Sequence, residues 1–387
     1  MNKKYLFSII IVSIIVLILT GSWLMWFVKA EKHLNVYILD KTVPTTERTE
    51  HKSLSWVLNH EKYVKPNGLL YDSDKDYYGF FPINSKSQEF DFRSIRIHEI
   101  EDIVSEYDML YYADTYGVYY NEWYKKDSKE INHTQKVYGG LNQNDYLLLK
   151  EMKEQKKLII TEFNLYNAPT NGLIRDKVEE LFGLNWSGWT GKYFSKLDTA
   201  DNSEFPHWIV NLYKEQNNYE WPFTSAGIVL VHKFGTIAIL ELGTHLTEEV
   251  PFIYSKQETI ERFGVPEVVH YSQWFDITFS EDENNVLANF KFHVNEAGDS
   301  LLKHYNLKPI FPAMIEHTGD YNFYYFGGDF AENNINSKSA FFEGYHNCVS
   351  LFKGSDYDSN GKFFWKFYVP VLTGILDDYQ KTLQMKK

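Results

Sequence analysis

A single cysteine, Cys348, is all the thiol chemistry that the 387 residues carry. No internal disulfide can form, and cysteine-based metal sites are excluded. Long basic runs are missing outside the termini, and the net charge is −13. Phosphate neutralisation needs clustered Lys and Arg, so nucleic acid is not an expected partner. The 13 histidines form no H-E-x-x-H pattern. His245 and Glu248 make only a common H-x-x-E spacing, so no metal and no cofactor is expected. Internal repeats and low-complexity linkers are absent. Only one apolar run is long enough to cross a membrane.

That run is Tyr5 to Val28, behind Lys3 and Lys4. As a helix it spans the hydrocarbon core of about 30 Å. Trp23 and Trp26 sit near its far end, where interfacial aromatics are common. The basic start predicts a cytoplasmic N-terminus, a single pass through the cell membrane, and an extracytoplasmic remainder. A cleaved signal peptide is the alternative. Val28-Lys29-Ala30 fits a small-x-small cleavage site poorly, and the run exceeds the usual h-region of about 7–15 residues. The expected organisation is an anchor over 1–30 and one α/β domain over 31–387.

Within that domain, short apolar strands alternate with helical segments. LNVYILD, MLYYAD and KLIITEFN are too apolar to have a wet face. Helical spacing follows in Thr49 to Val64, Ile97 to Tyr107, Asn142 to Lys156 and Leu173 to Phe182. This order predicts an open, mostly parallel sheet with helices on both faces. After Trp221 the pattern changes. GIVLVHKFGTIAILEL reads as a hairpin, and VLANFKFHV and YNFYYFGGDF read as later strands. An antiparallel C-terminal elaboration is expected, closed by a helix with a basic tail.

Three strands end alike, on Asp40, Asp114 and Glu162. Ligands of open parallel sheets bind outside the carboxyl ends of the strands. Buried carboxylates are costly, but a rim can satisfy them with water, amides or a ligand. Any one such acid can simply cap the next turn. Asp114, Glu162 and Glu241, at the end of IAILEL, are the candidate catalytic carboxylates. Asp40, Tyr116, Glu122, Asn164, Arg175, His245 and Asp329 are candidate ligand contacts nearby. Asp329 follows Gly327-Gly328 at the end of an aromatic strand.

Aromatic residues are plentiful, with 29 Tyr, 28 Phe and 10 Trp. NWSGWTGKYF reads as a loop in which Trp186, Trp189 and Tyr193 are placed to stack on sugar rings. The plain alternative is a loop pinned to the core by its tryptophans.

LNVYILD, MLYYADTYG and VYGGLNQNDYLLLKEMKEQKKLIITEFN together resemble the class I glutamine amidotransferase-like fold, in its trehalose-utilisation-type branch. The resemblance covers Leu34 to Leu246 in pattern. It implies a flavodoxin-like layout and a nucleophilic cysteine after the third strand. Glu162 stands at that position here, so thiol catalysis is not expected. His245, in GTHLTEE, is either a relic of the family histidine or a turn residue, and the turn is the favoured reading.

Two functions follow as expectations. One is a tethered module that binds a glycan or a partner in envelope-polysaccharide machinery. The other is a cell-surface carbohydrate hydrolase using paired carboxylates.

Overall fold

The computed structural model describes residues 3–124, 135–167, 169–198, 205–281, 283–352 and 361–385. Lys3–Val28 is one continuous helix, and Phe7–Val28 is long and apolar enough to span a membrane. By length and composition it fits an anchor and a signal sequence alike.

The apolar strands form the centre of a ten-stranded sheet. Val36–Asp40, Met109–Asp114 and Leu158–Thr161 are parallel neighbours there. Side chains alternate across a strand, so each strand feeds two cores. Ile38, Met109, Tyr111 and Ile160 pack with Leu54, Val57 and Leu58 of the helix Thr49–His60. Leu372 and Ile375 of the helix Val369–Met385 complete that layer. Tyr37, Leu39, Leu110 and Ile159 pack instead with the helices Ile100–Glu106, Gln143–Glu154 and Gly172–Phe182. Helices therefore cover both faces. The two terminal lysines of the expected basic tail, Lys386 and Lys387, lie outside the described residues.

The large sheet is mixed, not mostly parallel. Tyr78–Asn84 extends the parallel set beside Val36–Asp40, and Asn322–Phe326 extends it beside Leu158–Thr161. Beyond these, Glu89–Arg93, Ile310–His317, Asn285–Lys291, Phe252–Ser255 and Val268–His270 all pair antiparallel. The connections explain the change. Only residues 318–321 join Ile310–His317 to Asn322–Phe326, and a parallel crossover needs a dozen or so residues. Gly79 sits where the edge of the parallel set turns, at φ 123, and a β-carbon there would strike the Asp40 carbonyl.

A second, four-stranded antiparallel sheet runs in the order Ile237–Glu241, Gly227–His232, Leu184–Phe194, Phe275–Ser280. The expected hairpin is its outer half. NWSGWTGKYF is not a loop but most of an inner strand of this sheet, paired on both sides. A bridge from Phe275 to Gly328 ties this sheet to the rim of the large one.

Candidate functional site at the carboxyl rim

Asp40 and Asp114 are register partners across adjacent parallel strands. Glu162 follows Thr161 directly, and its N–H donates to the Tyr112 carbonyl at 3.0 Å. The strand-end acids read from the sequence therefore do share one rim, and all three are buried. Asp329 joins them electrostatically, as do Glu50, from the first turn of the helix Thr49–His60, and Glu332.

Each acid is held differently. Asp40 accepts the Thr42 N–H at 2.9 Å and lies 2.6 Å from Nδ1 of His51. His51 Nε2 is 2.8 Å from the Ser73 carbonyl, which can only accept. Nε2 therefore carries a hydrogen, and Nδ1 and Asp40 share a single proton between them. Asp114 accepts from the Tyr116 N–H at 2.6 Å and from the Asn164 side-chain amide at 3.2 Å. Glu162 takes the N–H groups of Phe330 and Ala331 on Oε2, both at 3.0 Å. Its Oε1 accepts the Tyr111 hydroxyl, which lies 2.8 Å from the Tyr368 hydroxyl. Asp329 is only 7% exposed. Glu50 accepts from the Thr49 hydroxyl on Oε1 at 3.1 Å, while its Oε2 is buried with no hydrogen-bond partner among the described residues.

Burial dominates the electrostatics, because a low-dielectric setting disfavours the ionised form. It pushes Asp114 from 3.8 to about 7, and the neighbouring Asp40 pushes the same way. It pushes Glu162 from 4.5 to about 8, against the opposing hydrogen bonds from Tyr111 and the two amides. Asp40 is raised by burial despite the contact with His51. Asp329 and Glu50 are pushed well up, first by burial and then by the acids around them. The rim thus holds carboxyl groups that are partly protonated at neutral pH. Such groups both donate and accept hydrogen bonds.

Asn164 organises the layer behind the rim. Its backbone takes the left-handed conformation at φ 67, which Asn tolerates. Its side chain holds Asp114, and its N–H donates to Asp276 at 3.0 Å. Asp276 also accepts from Thr190 at 2.8 Å, and burial raises it from 3.8 to about 7. Sequence reading missed Asp276, Glu50, His51 and Glu332. The signal for Asp276 was a lone acid inside the apolar strand FDITFS. For Glu50 and His51 it was their place at the start of the helix that follows a rim strand.

Other candidates lie elsewhere or do other work. Glu241 ends a strand of the second sheet. Burial raises its pKa, but the amides of Thr224 and Ser225 and the Thr244 hydroxyl bring the net value down. His245 accepts the Glu241 N–H on Nδ1 at 3.2 Å and so fastens the same turn. Arg175 donates to the carbonyls of Tyr166 and Thr170 and lies over the Trp186 ring at 4.9 Å. Glu122 is exposed and accepts the Tyr119 N–H. Tyr116 stands beside Asp114 with its ring against Tyr119. Trp186, Trp189 and Tyr193 are buried, so none presents an open face for stacking. Trp189 packs on Tyr305 at the edge of a groove of about 560 Å³ whose lining includes none of the rim acids.

Cys348 lies in the helix Tyr345–Phe352. Among the described residues, no group of three His, Cys, Asp or Glu side chains is placed to hold a metal ion.

No protein-family model matches the chain, and no curated protein matches it. Among solved structures it is similar to a ThuA-like protein from Bacteroides uniformis, at 10% identity and TM-score 0.35, over 86% of this chain and 95% of that one. A ThuA-like protein from Parabacteroides merdae gives 9% and 0.34, over 77% and 79%. β-Galactosidase from Bacillus circulans sp. alkalophilus gives 9% and 0.33, over 81% of this chain and 32% of that one. Likenesses at these values carry no argument about what this chain binds or does.

Proposed function

We propose that this is a membrane-anchored, extracytoplasmic domain that binds a carbohydrate or an envelope polysaccharide at the carboxyl rim, without thiol catalysis. The observation behind this reading is Glu50. Its Oε2 is buried beside Asp40, Asp114 and Glu332 and has no hydrogen-bond partner among the described residues. A buried polar group without a partner costs free energy until a ligand satisfies it. Vicinal hydroxyls suit a partly protonated acid cluster, since each side can donate and accept.

Packing at the end of the first helix supports an anchor over a cleaved leader. Trp26 is 7% exposed, donates to the Asn59 carbonyl at 3.0 Å and packs edge-on against Phe341. Ser22 and Glu343 exchange two backbone-linked hydrogen bonds. Cleavage near Ala30 would remove these contacts.

The test uses the full chain in detergent micelles on a glycan array. Wild type is expected to bind, and Glu50→Ala to weaken binding about tenfold, the worth of one or two hydrogen bonds. A wild-type chain that binds no glycan would overturn the reading. The second reading, a carboxylate-dependent glycoside hydrolase, is favoured by Asp114 and Glu162 titrating near neutrality, where one can hold a proton while the other yields it. Reducing-sugar release that disappears in Asp114→Asn with Glu162→Gln supports it. Binding without release sinks it.

A further inference from the structure

Beside the outer end of the first helix lies a hollow of about 590 Å³. Its lining includes Trp26, Phe27, Lys62, Lys65 and the turn that carries Leu69. The Lys62 ammonium lies over the Trp26 and Phe27 rings, at 5.4 and 5.8 Å. The turn is rigid. Gly68 N–H donates to the Lys65 carbonyl at 2.8 Å, Lys65 N–H donates to the Leu69 carbonyl at 2.9 Å, and Asn67 Oδ1 accepts the Leu69 N–H at 3.0 Å. Pro66-Asn67-Gly68 is the residue order that such a turn favours. Yet this fixed turn holds Leu69 at 60% exposure, next to Phe27, which is also exposed. A rigid turn gains nothing from an exposed leucine in water. It gains if the leucine meets lipid.

The charges fit the same place. Lys62 donates to the carbonyls of Phe27 and Lys29, at 2.8 and 2.7 Å. That closes the end of the helix and leaves one of the three ammonium hydrogens without an oxygen acceptor among the described residues. Lys62 makes no ion pair among the described residues. Lys65 and Lys75 are paired with Asp76 and Asp72, so the hollow offers both signs of charge. The height is right as well. Phe7–Val28 spans about 33 Å as a helix, close to the hydrocarbon thickness of about 30 Å. Its last turn, with Trp26 and Phe27, then stands at the outer boundary, where Trp26 already touches the domain.

We propose that this hollow binds the headgroup of a zwitterionic phospholipid, with its phosphate on Lys62, its ammonium toward Asp72, and Leu69 dipping among the acyl chains. The inference rests on the anchor reading given above.

The full chain is reconstituted in vesicles of phosphatidylethanolamine and phosphatidylglycerol. An alkaline carbonate wash comes first, and a chain washed off removes the anchor and this site together. On retained chain, an environment-sensitive dye at Leu69→Cys, in a Cys348→Ser background, is expected to emit blue-shifted and to be quenched by lipid-borne quencher. Emission as in water overturns the site and leaves the anchor standing. Native mass spectrometry gives a second readout. Phosphatidylethanolamine is expected to stay bound through detergent exchange, and Lys62→Gln to lower its retention about fivefold. Leu69→Asp, on an exposed turn, should lower it too with no change in Tm. Retention that neither variant changes, or a preference for phosphatidylglycerol, overturns the proposal.

Discussion

Asp276 is a carboxyl group held fully out of water by Thr190, Tyr325 and the Asn164 amide. Its pKa rises from 3.8 to about 7 through burial. Between those values the folded chain keeps a proton that the unfolded chain has released. The stability this proton brings is complete below pH 3.8 and is lost as pH rises through about 7. Glu162 acts in the same sense between 4.5 and about 8, and Asp114 between 3.8 and about 7. Tm is therefore expected to fall as pH is raised across this range. Asp276→Asn should flatten the fall, and thermal unfolding at several pH values reads it. A slope left as steep as in wild type would count against burial as the cause. Residues differ in how far their sequence reveals them. Asp40, Asp114 and Glu162 were legible because an apolar run that stops on an acid marks a strand end. Trp189 and Tyr193 were not, because the strands that bury them, Gly227–His232 and Phe275–Ser280, come later in the chain. Without those partners, aromatics among glycines look like a loop.

The first helix ends inside the fold. Trp26 fills a site against Phe341 and Asn59, and large-to-small changes at such sites cost about 3 kcal/mol or more. Trp26→Ala is expected to lower stability by about that amount in denaturant titration of the detergent-solubilised chain. Faster tryptic cutting at Lys29 or Lys32 should accompany it. Stability within error of wild type would mean that the helix end is not part of the cooperative unit. Helices were the easiest elements to read, since Gln143–Glu154 and Gly172–Phe182 carry a stripe, an Asn cap and, in the second, Gly183 as a stop. Strand direction was harder. Period-two patterning does not say which way a neighbour runs, so the mixed character of the sheet stayed hidden.

Across the whole molecule, the decisive contact is late in the chain. Asn322–Phe326 lies parallel to Leu158–Thr161, and the residues after it supply the amides that hold Glu162. A chain ended at Leu307 would expose one side of the parallel set and leave Glu162 without those donors. It is expected to lose cooperative unfolding and near-UV circular dichroism, and to be cut throughout by protease. A sharp transition in that truncation would show that the chain up to Leu307 folds alone. At the other end, only residues 29–31 separate the helix Lys3–Val28 from the strand Lys32–His33, which pairs with Tyr63–Val64. There is no slack in that join. On the anchor reading proposed above, a domain so mounted would have no leash to swing on and would meet its ligands at one standing height. It would search by sliding and spinning in a plane, so crowding along the surface, rather than tether length, would set how often it finds what it binds.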